Sequence, residues 1–600
     1  MTIAGVVGSD DREVGDTIDR IAQALGRDPD HRTLSEGVGL ASWMDSTSTV
    51  SQSFAGDRAQ VGTLEGHVPG LGVELRGDFA MISRAEGRLR LARGRFAGRP
   101  LYWMRVGKTT VASSRLLPLA LVGNANLRLN LDYVLSLFDP VLLLLRQPLP
   151  FMGTERVRAN TIVEIDSAGR AQTFEGPLRF EPELRLSIPD LADELRSQFR
   201  AAVGRQSRGA RRIGVLTGGG VDSSNVLAAA VHNHRHHGGP EVVPLAFDFG
   251  GEGDDRPHLR ALCRHLGVEP VRIAPADGAP FGMRGRIVDG QVHHILPAAP
   301  MLAAMGRARA AGIERLLDGI DSEAVLDSDG AVFGDFLLNQ PLAALGNVLR
   351  FQATGETRPQ VWRRMLVGPL LRHVLPRFVV DARGRAARNR AARIKAASFP
   401  WAGPRLAAFL ANADHVSRPR PIGSQRHRVS TLACSSFLME NREHGSRVEI
   451  ADGVRVCRPY LDDEFLSFMA RVPSAAIFVG ARDRGLLRES MTGCVPESLR
   501  NRRDKARPRE ALAEAFAFVR HTPELRELLS MRELQALGIV DAKSFRAAFD
   551  RVASDPLRDD RAFCSVWAAI AGEEYVQWFR QLAATSTARD PARELAAASP

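Results

Sequence analysis

Twelve consecutive residues, Ile213-Gly214-Val215-Leu216-Thr217-Gly218-Gly219-Gly220-Val221-Asp222-Ser223-Ser224, restrict the fold more than any other part of the 600-residue chain. Ile213 to Leu216 is a short apolar run that suits a buried parallel strand. Gly218 to Gly220 supply a turn whose backbone a ligand can approach closely. Asp222, Ser223 and Ser224 stand where a helix starts, and Asn225 to Val231 continue it. A helix start presents unpaired N–H groups and a partial positive charge, which suits phosphate. Serine hydroxyls add donors, and an aspartate there suits Mg²⁺. No Gly-Lys-Ser/Thr follows at the required spacing, so this is not a Walker A loop.

Composition narrows the rest. With 44% hydrophobic and 25% charged residues the chain is globular and large enough to need no metal or disulfide staple. A net charge of +11 favours anionic partners without choosing among nucleotide, nucleic acid and acidic peptide. Cys263, Cys434, Cys457, Cys494 and Cys564 are scattered and form no CxxC pair. That pattern fits a reducing, cytoplasmic setting and argues against a zinc finger. The N-terminus shows no signal peptide, and the apolar run Val141 to Leu145 is too short to span a bilayer, so no membrane partner is expected.

Residues 1 to about 165 read as β-rich, with Thr161 to Ile165 a late strand. Gly107-Lys108-Thr109 resembles a Walker fragment, but its first glycine would fall at Tyr102, so it reads as a hairpin turn. After a connector from Glu181 to Pro189, Asp190 is expected to cap a helix carrying Leu191, Leu195, Phe199 and Ala202 on one face. Beyond the glycine turn, alternating strand and helix signals predict a doubly wound parallel sheet, with Val242 to Phe247 and Arg256 to Gly267 as its next strand and helix. Ligands of such sheets lie beyond the carboxyl ends of the strands. Leu216 and Phe247 are then neighbours of an adenine or plain core. His232, His234, His236 and His237 read as a cationic helix end rather than a metal site, because no carboxylate or cysteine stands at ligand spacing. Residues 312–323 form a strand ending in an acidic turn, Asp318-Gly319-Ile320-Asp321-Ser322-Glu323. The stretch from about 350 to 430 is Arg-rich: a solvated helical face, or a dock for an acidic peptide or RNA. Residues from 521 read as helical.

The run Gly218-Gly219-Gly220-Val221-Asp222-Ser223 resembles the PP-loop of ATP pyrophosphatases, whose usual form is Ser-Gly-Gly-x-Asp-Ser, with Gly218 in the serine position. Earlier in the chain, Leu75-Arg76-Gly77-Asp78-Phe79-Ala80, Gly98-Arg99-Pro100-Leu101-Tyr102-Trp103 and Ala112-Ser113-Ser114 resemble the glutaminase domain of asparagine synthetases. The acidic turn, then Arg455-Val456-Cys457-Arg458-Pro459-Tyr460-Leu461-Asp462, then Arg500-Asn501-Arg502-Arg503-Asp504-Lys505 follow in the order of that superfamily. Its N-terminal cysteine nucleophile is replaced by Thr2, its Arg-Asp pair by Arg93-Gly94, and its inner Glu by Ile320.

The resemblance implies an α/β protein: a degenerate glutaminase-like, β-rich α+β sandwich over 1–170, and a doubly wound PP-loop synthetase domain of the adenine nucleotide α-hydrolase type over 190–520. A basic helical insertion over 350–430, a C-terminal helical extension over 521–582 and a disordered tail over 583–600 complete it. The implied reaction has two steps: a carboxylate attacks the α-phosphate of ATP, and an amine then displaces AMP to form an amide. Asp222 and Glu323, with Asp321 as a substitute, would hold Mg²⁺, and Lys505 would stabilise the leaving pyrophosphate. Leu216, Thr217, Gly218, Gly219, Gly220, Ser223, Ser224, Phe247, Asp318 and Gly319 would face ATP; Glu440, Arg458, Tyr460 and Asp462 would line the substrate pocket. Among branches without the glutaminase cysteine the chain looks most like a lasso peptide cyclase. Such enzymes close a macrolactam between an Asp or Glu side chain and the N-terminal amine of a precursor peptide, and they work with a leader-peptide protease and a leader-binding protein. Amide synthesis on a small molecule, as in β-lactam synthetases, is the alternative reading. RNA modification fits the charge but not the segments before 165 and after 455, and a scaffold without ATP chemistry is a third reading.

Overall fold

The computed structural model describes residues 2–588 apart from 44–51, 56, 65–71, 97, 124–126, 140–147, 248–253, 274–286, 293–298, 354–355, 413–421, 434, 504–522 and 556–557. Val141 to Leu145 fall outside the described residues.

Residues 2–175 build two six-stranded antiparallel sheets laid face to face. The first contains Thr2–Val7 between Thr109–Ser113 and Val38–Trp43; the second contains Arg88–Arg93 between Thr161–Ile165 and Gly77–Ala85. Alternation along the strands sends Ile3, Val7 and Leu40 to meet Ile82, Leu89 and Val163 in a dry interior. The helix Asp11–Leu25 covers the opposite face of the first sheet with Val14, Ile18 and Ile21. Gly107, at φ 60°, turns the hairpin between Tyr102–Val106 and Thr109–Ser113, as its sequence predicts.

The second unit opens with α1 (Ile188–Ser207). Ser187, not Asp190, caps it: its Oγ accepts from the Asp190 amide at 3.4 Å and bonds the Asp190 carboxylate at 2.5 Å. The start lies earlier than expected because Pro189 suits the first turn, where no amide donor is needed. Then follow β1 (Arg212–Thr217), α2 (Val221–His237), β2 (Glu241–Phe247), α3 (Arg256–Leu266), β3 (Val271–Ile273), α4 (Ala299–Ala310) and β4 (Arg315–Leu317). The helices α5 (Gly330–Asn339), α6 (Pro341–Arg350), α7 (Arg377–Ala397) and α8 (Ser436–Asp452) precede β5 (Arg455–Cys457), α9 (Asp463–Met469) and α10 (Gly485–Ser490). The five strands are all parallel, in the order β3-β2-β1-β4-β5. The order reverses at β1, which opens a crevice beyond the carboxyl ends of β1 and β4. The expected α/β class, an antiparallel β-rich unit followed by a parallel α/β unit, is the one observed.

Two features tie the units together. Helix α8 runs between the N-terminal sandwich and β5: Ser446 Oγ donates to the Gly98 carbonyl at 3.0 Å, and Gly445 lies against Val456. The last helix, α11 (Asp560–Ala588), returns to the first unit, where Phe579 joins the core beneath Tyr102 and Phe151, and Tyr575 Oη donates to the Gly290 carbonyl at 3.0 Å. It runs past 583, so residues 583–588 are helical and not part of a tail; 589–600 lie outside the described residues.

Candidate active site

The glycine turn joins β1 to α2 at the crevice floor. Gly220, in an extended conformation, is the N-cap of α2 and contributes no side-chain bond, so the first amides of a seventeen-residue helix remain unsatisfied by a cap. The Ser223 hydroxyl lies inside the loop, accepting from the Gly218 amide and donating to the Gly220 carbonyl, both at 3.4 Å. These are long bonds that a phosphate oxygen can replace. Ser224 is fully buried and donates to the Gly220 carbonyl at 2.6 Å, so it braces the turn instead of lining it. Thr217 is also buried. Side chains are excluded by contact: a Cβ on Gly319 would stand 2.7 Å from the Ser223 nitrogen, and one on Gly219 would stand 2.6 Å from His258 Cβ. Gly319 thus lets the end of β4 close onto the start of α2, which brings Asp222 beside the acidic turn.

There, one arginine serves three carboxylates. Arg484 Nε stands 2.7 Å from Asp222 Oδ1, and its terminal nitrogens lie 3.8 Å from Glu323 Oε2 and 3.9 Å from Asp327 Oδ1. Ser322, fully buried, hydrogen-bonds Asp222 and donates to Glu323 Oε2 at 3.3 Å. Burial pushes the Asp222 carboxyl above its ordinary range, Arg484 opposes this, and Glu323 adds to it. Asp222 is one-quarter exposed and Glu323 59% exposed, so both open to the crevice. Arg484 itself has φ 55°, a left-handed conformation that costs a non-glycine residue about 1–3 kcal/mol and persists only where the surroundings impose it.

Asp321 does not join this pair. It is 2% exposed, at φ 71°, and Arg458 donates to its Oδ2 at 3.0 Å. A buried carboxylate needs such a partner, and the pairing directs Asp321 away from Asp222. The same Arg458 lies 3.6 Å from Asp318. Burial, reinforced by Asp321 and opposed by Arg458, pushes the Asp318 carboxyl up to about 6. Arg458 therefore stabilises the acidic turn from behind. Tyr460 is wholly buried: its hydroxyl donates to the Asp222 carbonyl at 3.1 Å and accepts from Asn225 at 3.2 Å, and its ring meets Phe199 at 4.5 Å. It supports the first turn of α2 from below. Asp462 caps α9 through the Phe465 amide and pairs with Arg205. Tyr460 and Asp462 are thus framework residues, because the short 3₁₀ turn Pro459–Leu461 turns both inward.

Leu216 is 7% exposed in the core beneath the crevice with Leu245, Ile273 and Leu316. Phe247, half-buried at the end of β2, borders a cavity of about 510 Å³ shared with Arg256, Cys263 and Arg272. Of the histidines, His232 and His236 lie with ring centroids 4.5 Å apart and planes tilted by 39° on the last turns of α2, at its far end from the loop. Lys505 lies outside the described residues, as does the side chain of Glu440. Arg502, close before Lys505, donates to the Gly219 carbonyl at 2.8 Å and pairs with Asp255, which brings its strand of chain to the glycine turn.

Three participants escaped sequence reading: Arg484, Ser322 and Arg502. Ser322 adjoined a residue already singled out. Arg484 has one local signal in the sequence, Gly485 beside it. A Cβ there would lie 2.0 Å from the Val479 carbonyl, so the glycine marks a tight loop.

A doubly wound parallel sheet with a glycine turn, a free helix N-terminus and two open carboxylates at its switch point defines a nucleotide-binding α/β protein of the PP-loop kind. The asparagine synthase family profile matches residues 194–576, and the chain belongs to that family. The protein is accordingly an ATP-dependent carbon–nitrogen ligase that forms AMP and pyrophosphate. No curated protein matches the chain. Similar solved structures include glutamine phosphoribosylpyrophosphate amidotransferase from B. subtilis complexed with ADP and GMP, at 11% identity over 53% of this chain and 90% of that one, with a TM-score of 0.20. A structure of the allosteric regulatory enzyme of purine biosynthesis follows at 10% identity, 46% and 80% coverage and a TM-score of 0.20. The U34-tRNA thiolase NcsA from Methanococcus maripaludis follows at 12% identity, 47% and 83% coverage and a TM-score of 0.20.

Proposed function

We propose that the protein is a macrolactam synthetase of the lasso peptide cyclase kind. It adenylates an Asp or Glu side chain of a precursor peptide and joins it to the peptide's own N-terminal amine. The observation that carries this reading is the state of the N-terminal unit. None of the five cysteines falls within residues 1–175, and Thr2 is 1% exposed within a central strand. The family's Asp after Arg93 is Gly94, where a Cβ would lie 1.9 Å from the Gly77 carbonyl. With no thiol to release ammonia from glutamine, the amine is best supplied by the substrate.

The crevice residues fit Mg²⁺, which takes one or two protein carboxylates and leaves its other positions to phosphate and water. Asp222 and Glu323 are the open pair, already gathered about one cation, Arg484. When bound, the ion screens the phosphates from the attacking carboxylate. The glycine-turn amides and Ser223 hold the phosphates, Ser322 orients Asp222 and Glu323, and Tyr460 and Arg458 keep the two loops in register. Lys505 is assigned to the developing charge on pyrophosphate. On this reading the reaction runs in the cytoplasm, beside a leader-removing protease and a leader-binding protein.

The test uses purified protein, ATP and the candidate precursor peptide. Release of AMP and pyrophosphate with a peptide product lighter by one water is the expected result. Production of ADP sinks the reading outright. AMP release with an amino acid but no peptide would transfer the assignment to a small-molecule amide synthetase.

A further inference from the structure

Among the described residues, sixteen large apolar side chains are exposed, and eleven of them lie between Leu338 and Ile394. The same stretch, 338–397, holds twelve Arg or Lys residues against only Glu356 and Asp381, so almost all of the net charge of +11 resides there. Neither feature is a by-product of packing. Helix α7 has twenty-one residues and buries only Ala392, and α6 buries only Ala344 and Val348. On α6, Leu342, Leu345 and Leu349 repeat on one face, with Leu342 86% exposed. On α7, Phe378 is 74% exposed, and Arg383, Arg385, Arg390 and Arg393 are exposed without ion pairs among the described residues. Helices that bury so little of their surface draw little stability from packing within the chain, and an exposed apolar patch of this size marks an interaction site.

The surface joins the crevice. Arg364, from the helical segment between α6 and α7, pairs with Glu356 and hydrogen-bonds the Ser328 carbonyl. Asp327, its neighbour, is the third carboxylate facing Arg484.

We propose that α6, α7 and the segment between them dock an acidic, partly apolar peptide segment, outside the crevice but continuous with it. The charge selects carboxylates, and the leucine stripe takes apolar side chains in the manner of a helix-in-groove or strand-on-helix contact. A bilayer surface fits less well. Phe378 and Ile394 lie about 160° apart around α7, whereas a helix lying on lipid needs one apolar face. RNA would call for aromatic stacking platforms, and of the exposed apolar residues in this stretch only Trp362 and Phe378 are aromatic. That the docked peptide is also the one cyclised rests on the function proposed above; the docking itself does not.

The test measures binding by the full-length protein without nucleotide. The probe is a fluorescein-labelled helical peptide of about 18 residues with Glu on one face and Leu on the other, against the same peptide with Lys for Glu. Phosphatidylglycerol vesicles and poly(U) are run in parallel. The Glu peptide is expected to bind, to weaken about tenfold between low and physiological salt, and to weaken about tenfold or more in L342S/L345S/L349S and in R383E/R385E/R390E. Circular dichroism checks that both variants keep their helices, and because these side chains are exposed the variants are expected to fold. Equal binding of the Lys peptide, binding of vesicles or poly(U) in place of the peptide, no binding of any probe, or unchanged binding by both folded variants would each overturn the proposal. ATP–pyrophosphate exchange, measured separately, reports on the adenylation reading and leaves this result unaffected.

Discussion

Arginines meet carboxylates in two parts of this molecule, with opposite consequences. At the seam between the two units, each is sealed. Arg93 and Glu443 pair at 2.9 Å with neither side chain exposed, Arg95 reaches Asp463 at 2.6 Å, and Arg99 reaches Glu449 at 2.8 Å. Despite burial, Arg99 and Arg455 hold the Glu449 carboxyl below its ordinary range. In the crevice the partners are incompletely matched: Arg484 divides itself among Asp222, Glu323 and Asp327, and all four are open to solvent. Closed pairs fix geometry, because separating them leaves an uncompensated buried charge. An open, shared pair exchanges partners at little cost, as a site for a charged substrate must.

The contrast can be broken most sharply at Asp222. Asp222→Ala is expected to lower AMP release at least about a thousandfold, about 4 kcal/mol, while the melting temperature stays close to the parent's. A large loss of stability would show that the crevice pairs are structural after all. At the seam the expectation is reversed. Glu443→Gln leaves Arg93 buried without its counter-charge and should cost about 3–5 kcal/mol in urea denaturation. The residual folded enzyme should keep its ATP–pyrophosphate exchange rate.

A smaller effect is expected at Gly94. Gly94→Asp restores the family's residue but forces a side chain onto the Gly77 carbonyl, so it should destabilise by about 1–3 kcal/mol and yield no glutamine hydrolysis. Detectable glutaminase activity would assign Thr2 a catalytic role.

The smallest signal is a pH dependence. The Asp318 carboxyl titrates near 6 when folded, above its ordinary value of 3.8. The folded state therefore holds this proton more tightly, and the stability it contributes is present at low pH and is lost as pH rises through about 6. Asp318→Asn should flatten the profile between about pH 4 and 7 relative to the parent, measured by denaturation at each pH. Identical profiles would mean that Arg458 neutralises Asp318 fully.

Legibility followed the range of the interactions. The strand, turn and helix around Gly218 to Gly220 were readable because apolar period, glycine and helix-start chemistry all act within a few residues. So were the hairpin at Gly107 and the later helices. Asp462 and Tyr460 were less readable. Both sit in a segment that resembles a substrate pocket, yet they face Arg205 and Asn225, remote in sequence. Asp321 misled for the same reason: three carboxylates in one turn give no hint of which one an arginine from β5's exit will claim.

By itself, the chain's sequence determined the parallel-sheet class, the phosphate-binding turn and the family, since each depends on local backbone preference or on motif order. Only the tertiary structure decided which charges remain available. Whether a carboxylate is sealed or open depends on the cation that packing delivers to it, and those cations arrive from distant segments: Arg484 at Asp222, Arg458 at Asp321, Arg93 at Glu443. Desolvation and pairing are properties of the assembled neighbourhood, and no spacing along the chain encodes them.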